Sequence, residues 1–355
     1  MIDAIQSCGA PVGMAGARRC ARPLTDGRCM DHGQRSYPVS AGPHGGATLT
    51  IADDGIRELR LSKSWLATFG KCPESARRSL MTDAPEPPTT LASVHGSLVH
   101  RGIEECLGFL HALGLEAGVA EIVLPGGLPP LVSDAMRSSL LEDFGPTLGD
   151  SDKRKNTPTA ILGGAAIGVR RWVAEVLPAV IRSAQGAPPA DWLIEERQER
   201  LLTTVGATRI FLRGTPDLIA GPSAWDHKTG RVVEHWRSDR YDLQPEVYLF
   251  LSGLDVCGSV FHYAYVPRNA ADVEIHQVTR TPEHIGWLAE MGRHVVELID
   301  AGLSQWPMSS TDWHCSERWC SAMAAGECRG SLLSIRPGHP VSPRSEVAVA
   351  AGEST

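Results

Sequence analysis

Hydrophobic positions recur at two different periods along this chain. In "LASVHGSLVHRGIEECLGFLHAL", Leu91 to Leu113, residues Leu98, Ile103 and Leu107 fall near one face of a helix, while Gly96, His100 and Glu104 recur every four residues on another. From Trp192 the period shortens. "WLIEERQERLLTTV", "TRIFLRG", "TPDLIAG" and "AWDHKTG" are β-like runs separated by Gly, Pro or Ser. A helix is expected around "YDLQPEVYLFLSGL", strands over "SVFHYAYVP" and "DVEIHQVTR", and a helix from Thr281 to about Leu303 opened by "TPEH". Upstream, Ser62 or Ser64 fits the N-cap of a short helix ending near Cys72–Pro73. Residues 114–190 read as helical and loop-rich, with a polar break at "GDSDKRKNTPT".

The edges of the pattern suggest a domain order. Residues 1–35 are rich in Cys, Gly and Arg and cannot build an apolar core. Residues 36–57 read as a linker, opening on the Gly/Pro-rich "SYPVSAGPHGGAT". The main domain is expected over 58–330, with a helical insertion at about 114–190, and a disordered Ser/Pro/Gly/Ala-rich tail over 331–355. Composition changes this picture little. At 355 residues and 42% hydrophobic the chain can form one large domain or two smaller ones. A net charge of −7 excludes a global basic field but not a local basic groove. No long apolar run or signal-peptide pattern is present, so a soluble, cytoplasmic protein without a membrane partner is expected. Nine cysteines in a reducing compartment then point to metal or cluster ligation rather than disulfides.

The hairpin candidate "GTPDLIAGPSAWDHKTG" carries two aspartates and a lysine. If its two runs pair, Asp217 and Asp226 lie near one another at one end of the sheet. Two close carboxylates repel, and one is pushed toward protonation unless a cation joins them. Hard oxygen ligands suit Mg2+ or Mn2+. Period two puts Asp226 and Lys228 on one face, with His227 turned away. Lys228 then points at the same site, where its charge can orient an attacking water or offset charge on a phosphoryl oxygen. The local pattern alone fits a surface Asp–Lys pair equally well.

Five motifs in order resolve the choice. "SWLATFGKCP", "GSLVH", "GTPDLI", "WDHKTG" and "LQPEVY" resemble the ordered set of the RecB-like branch of the PD-(D/E)XK nuclease superfamily, over roughly residues 58 to 330. The resemblance implies an α/β restriction-endonuclease-like core, a mixed sheet flanked by helices. It implies a metal site of His100, Asp217 and Asp226, with the backbone carbonyl of His227 as a further ligand and Lys228 as the catalytic lysine. Gln244 and Tyr248, one helical turn apart, would face the site and the nucleic-acid backbone. Pro245 departs from the pattern: proline fits only a first helical turn, which puts Gln244 at the helix start. Glu195 or Glu196 would border the groove; Glu104 reads as a solvated or supporting residue.

Seven of the nine cysteines fall into two groups. Cys315, Cys320 and Cys328 lie within fourteen residues, flanked by tryptophans. In the iron–sulfur nucleases of the same superfamily, such as AddB-type and CRISPR-adaptation exonucleases, a lone cysteine before the histidine helix joins three near the C-terminus. Cys72 would take that position. Four thiolates suit a 4Fe–4S cluster and also suit zinc; the resemblance favours the cluster. The other group is Cys8, Cys20, Cys29 and His32, whose closing C-x-x-H has chelate spacing. It is similar to small Cys3His zinc modules of phage and bacterial nucleic-acid proteins, and Arg18, Arg19, Arg22 and Arg28 interleave with its ligands. Cys106 and Cys257 lie in apolar patterns and read as core.

Taken together, the resemblance implies metal-dependent hydrolysis of DNA phosphodiester bonds, with single-stranded ends entering a groove, in repair, recombination or phage DNA processing. Exonuclease action is expected. The chain carries no G-x-x-x-x-G-K-[ST] loop, so a helicase partner would be a separate chain. The alternative is a DNA-binding scaffold subunit with weak or no nuclease activity.

Overall fold

The computed structural model describes residues 46–52, 55–81, 91–123, 127–141, 157–229, 242–267, 272–302 and 306–307, together with four two-residue strands nearer the N-terminus. Those four form two antiparallel ladders: β1 (Pro11–Val12) pairs with β2 (Arg18–Arg19), and β3 (Leu24–Thr25) with β4 (Arg28–Cys29). Cys8, Cys20, His32, Cys315, Cys320 and Cys328 lie outside the described residues, and of Cys29 only the backbone is described. Next come β5 (Thr48–Ile51), β6 (Arg57–Ser62), α1 (Lys63–Lys71), α2 (Pro73–Met81), α3 (Leu91–Leu113), α4 (Leu115–Ile122), α5 (Pro130–Ser139) and α6 (Pro158–Arg171). A π turn, Trp172–Val176, joins α6 to α7 (Leu177–Ser183). The rest is β7 (Leu193–Ile194), β8 (Gln198–Val205), β9 (Thr208–Gly214), β10 (Leu218–Ala220), β11 (Ser223–Lys228), α8 (Gln244–Ser252), β12 (Val260–Tyr265), β13 (Glu274–Val278) and α9 (Pro282–Asp300).

The chain divides into two compact units. The first comprises Met1–Pro87, Thr203–Phe211 and Met291–Thr355; the second comprises Pro88–Leu202 and Leu212–Glu290. In the first unit β5 and β6 form an antiparallel pair, in a sheet of order β5-β6-β9-β8. The linker expected over 36–57 therefore carries a strand. Ser62 caps α1, its hydroxyl accepting the Trp65 N–H at 3.2 Å. Pro73 does not stop the chain but opens α2 as its first residue, where its missing N–H costs nothing. Trp65 Nε1 donates to the Ala76 carbonyl at 3.0 Å and locks the α1–α2 corner around Cys72. The same corner holds a distant segment. Glu74, 2% exposed, accepts from Arg77 and from the Trp306 N–H at 2.8 Å, and its own N–H donates to the Pro307 carbonyl.

In the second unit a mixed five-stranded sheet runs in the order β13-β12-β11-β10-β7. β10 and β11 form the expected hairpin. Its two-residue turn, Gly221-Pro222, needs glycine at φ +56°, where a Cβ would also stand 2.3 Å from the Ala184 carbonyl oxygen. β11 and β12 are parallel, connected through α8; the other pairings are antiparallel. The apolar core lies on one face of the sheet, where Leu98, Ile103, Val169 and Trp172 of the helical layer meet Leu218 and Trp225. The helical character expected for 114–190 is realised in α4 to α7, all among the described residues. Cys106 is buried as expected. Cys257 is not: it is exposed in the turn after α8, where its N–H donates to Asp255 Oδ1, so its apolar neighbours in sequence misassigned it. Among the described residues no helix is long and apolar enough to cross a membrane.

Candidate metal site at the end of the central hairpin

The site grows out of a break in hydrogen-bond register. β10 begins only at Leu218, which pairs with Trp225, so the next unpaired N–H of β11, that of His227, lacks a strand partner on that side. Asp217 fills the gap: its Oδ2 accepts the His227 N–H at 2.6 Å. That bond fixes the carboxylate at the strand end, 3.5 Å from Nδ1 of His100 on α3. Glu195 reaches the same imidazole, its Oε1 3.6 Å from Nδ1. One ligand atom from each of His100, Glu195 and Asp217 lies within 4.8 Å of the others.

Glu195 comes directly after β7, whose Ile194 pairs with Leu218, so it stands opposite Asp217 and donates its N–H to the Asp217 carbonyl. Its φ is +48°, a left-handed conformation that costs a non-glycine residue roughly 1 kcal/mol or more. Of the two candidates, Glu195 rather than Glu196 therefore joins His100 and Asp217. Sequence alone does not supply the β7–β10 register that makes the choice.

On the other face of β11, Asp226 and Lys228 point together as the period-two reading expects. Lys228 Nζ lies 2.5 Å from Asp226 Oδ2 and donates to Gln244 Oε1 at 2.9 Å. The Gln244 amide closes the triangle by donating to Asp226 Oδ1. Gln244 is the first residue of α8, directly before Pro245, as proline geometry requires. Tyr248, one turn on, packs its ring 6.1 Å from Phe261. His227 turns the opposite way and is buried. Trp172 Nε1 donates to its Nδ1 at 3.4 Å, and its Nε2 has no hydrogen-bond partner among the described residues.

Electrostatics reflect this crowding. Burial opposes a charge on His100, but Asp217, Glu195 and Asp226 outweigh it and lift its pKa to about 9. Burial raises Asp217 well above the carboxylate range; the His100 charge opposes this, and Asp226 and Glu195 add to it. Burial also disfavours charge on Lys228, yet Asp226, Asp217 and Asp242 hold its pKa above the ordinary lysine value. His227 is kept neutral by burial and by the His100 and Lys228 charges. The protein thus gathers carboxylates around a half-buried histidine at the strand end, a setting in which a divalent cation can serve as counter-charge.

Gly96 explains the spacing of "GSLVH". A Cβ on Gly96 would come 2.7 Å from Thr229 Oγ1, so the absent side chain lets α3 approach the end of β11 one turn before His100. The structure therefore brings His100, Asp217 and Glu195 into one cluster. Asp226, expected among the ligands, is not in that close group: its oxygens are held by Lys228 and Gln244, and it acts on His100 and Asp217 through its charge. Cys72 belongs to the first unit, at the C-cap of α1, where it is half-buried and forms no disulfide among the described residues.

No protein-family description matches the chain, and no curated protein matches it. Two of the solved structures similar to it are the following. One, named "Putative exonuclease", is from Eubacterium rectale: 12% identity over 78% of this chain and 85% of that one, with a TM-score of 0.40. The other is SSO0001, with 14% identity over 52% of this chain and 79% of that one and a TM-score of 0.31. Both scores fall below 0.5, and neither likeness carries weight for the chemistry of this chain.

Proposed function

We propose that the chain is a divalent-metal-dependent nuclease that hydrolyses DNA phosphodiester bonds, acting as an exonuclease on single-stranded ends. The observation that carries this reading is the convergence of His100, Glu195 and Asp217 within 4.8 Å, with the Asp226–Lys228 pair near enough for its charges to act on His100 and Asp217. The residues fit Mg2+ or Mn2+: hard carboxylate oxygens with one imidazole, where a bound cation would replace the His100 proton as the counter-charge to Asp217 and Glu195. His100, Asp217 and Asp226 would hold the ion, with Glu195 and the His227 carbonyl as further donors. A bound divalent cation supplies positive charge opposite the scissile phosphate and makes a water more acidic.

The protein's own groups supply the rest. Lys228 is held by Asp226 and Gln244, so its ammonium stands ready where charge develops on a phosphoryl oxygen. Gln244 and Tyr248 would orient the nucleic-acid backbone, and His227 anchors the strand end through its N–H. An unwinding partner would be a separate helicase or recombination protein.

The cysteines fit two further metal groups. Cys72 with Cys315, Cys320 and Cys328 would hold a 4Fe–4S cluster, or zinc, as a structural staple. Supporting this, Trp306 and Pro307 are hydrogen-bonded to Glu74, two residues from Cys72, which starts the chain toward Cys315 from the right corner. Cys8, Cys20, Cys29 and His32 would hold zinc, and the arginines between them would meet phosphates.

The test is release of nucleotides from labelled DNA with Mn2+, against the same reaction in EDTA and against labelled RNA. Asp226→Ala and Lys228→Ala are expected to abolish release with unchanged circular dichroism. Full activity in either variant refutes the assignment. No Mn2+-dependent release by the unaltered protein leaves the scaffold reading.

A further inference from the structure

We propose that Asp242 and Tyr263 are positioning residues for the Lys228–Gln244 pair, acting through the first turn of α8. The observation is a continuous set of contacts on the face of the sheet opposite the helical core. Tyr263, on β12, donates its hydroxyl to Asp242 Oδ2 at 2.9 Å. The other oxygen of Asp242, Oδ1, accepts the Gln244 N–H at 3.1 Å. Gln244 then accepts from Lys228 and donates to Asp226.

The α8 terminus makes this arrangement necessary. Its N-cap residue is Leu243, which offers no side-chain cap, so the first-turn N–H groups lack the usual capping acceptor, while Pro245 fixes only its own φ. Asp242 takes the place of a cap from one residue further out. Tyr263 holds Asp242 in turn. Burial and the Asp242 charge keep its phenol protonated, and hence a donor. The ring of Tyr263 also lies with its centroid 5.8 Å from Lys228 Nζ, so the same residue that anchors the helix start faces the lysine ammonium. Asp242 and Tyr263 touch neither the His100 cluster nor, on this reading, the substrate. They set where the Gln244 side chain leaves the helix, and thereby where the ammonium of Lys228 rests.

The kinetic arm of the test rests on the nuclease reading; a second arm does not. In the full chain, Asp242→Ala is expected to lower kcat for Mn2+-dependent DNA hydrolysis about tenfold or more with KM within about twofold. Asp242→Asn keeps an acceptor for the Gln244 N–H and should restore most of that loss. Tyr263→Phe should fall between, and the double variant with Asp242→Ala should be no worse than Asp242→Ala alone. The second arm uses 13C reductive methylation, since the chain has only five lysines. The Lys228 signal, assigned by its disappearance in Lys228→Arg, should move in Asp242→Ala and return in Asp242→Asn. An unmoved Lys228 signal or a wild-type kcat in Asp242→Ala overturns the proposal. Equal damage in Asp242→Asn, or fully additive losses in the double variant, also overturns it. If the unaltered protein released no nucleotides, the nuclease reading would fail, and the methyl signal would decide this proposal by itself.

Discussion

Replacing Gly96 with alanine tests whether the α3–β11 approach sets the site. The new methyl would meet Thr229 Oγ1 at 2.7 Å, against an ordinary contact of 3.4 Å, so the two must separate by about 0.7 Å. Thr229 directly follows Lys228, and its hydroxyl, on a short β-branched side chain, can clear the methyl only by leaving its present χ1 rotamer or by a shift of the backbone. Two effects on stability oppose each other. Alanine favours the helix interior by about 1 kcal/mol, and overpacking costs about 1–3 kcal/mol. The net loss is then between about zero and 2 kcal/mol. Function should suffer more, because a misplacement near 1 Å can cost a reaction about a hundredfold. We expect Mn2+-dependent hydrolysis to fall at least tenfold, by order of magnitude, while urea unfolding shifts little. Thr229→Ala in the same chain removes the clashing oxygen and should recover part of the loss, giving a coupling of roughly 1 kcal/mol in a double-mutant cycle. Gly96→Ala with unchanged activity, or singles whose losses simply add, would refute the close-approach reasoning.

Other expectations come from the same structure. Glu195→Ala and Glu195→Gly should both weaken Mn2+ binding measured calorimetrically, yet the glycine variant should be the more stable by about 1 kcal/mol, because only alanine keeps the left-handed strain; alanine proving the more stable would contradict this. Glu74→Gln should destabilise by about 3 kcal/mol, since it breaks a buried ion pair with Arg77. Burial pushes the Glu74 carboxyl up, but Arg77, the Trp306 N–H and Arg78 outweigh it and depress its pKa. Its contribution is therefore complete above the ordinary glutamate range and lost as pH falls through the depressed value. The gap between wild type and Glu74→Gln should close on acidification, and a gap that widens would reverse the assignment. An anaerobic preparation should contain iron and absorb near roughly 400 nm if the four thiolates hold a cluster. Zinc with no such band would give the staple to zinc, and neither metal would remove it.

Much of this arrangement was legible in the residues, and the illegible parts share a cause. The bounds of α3 are set by a long amphipathic pattern, and the β10–β11 hairpin by its Gly-Pro turn. Asp226 and Lys228 share a face because strand period is two. What the chain did not disclose depends on pairing between distant segments. Glu195 could not be separated from Glu196 without the β7–β10 register, and the parallel β11–β12 pairing has no local signature. β5 is only four residues long, too short to stand out from a Gly-rich neighbourhood. Pro73 has the same appearance whether it ends one helix or begins the next, and here it begins α2. Cys257 was misread because flanking apolar residues say nothing about a turn.

The π turn between α6 and α7 works as a spacer of fixed length. Trp172 at its start reaches His227, and Ser183 at the end of α7 accepts from Trp225 Nε1 at 3.1 Å. Deleting one residue would regularise the helix but rotate one anchor against the other by about 100°. Only one of two neighbouring odd positions on β11 could then keep its partner, so the irregular turn sets the phase between helix and strand.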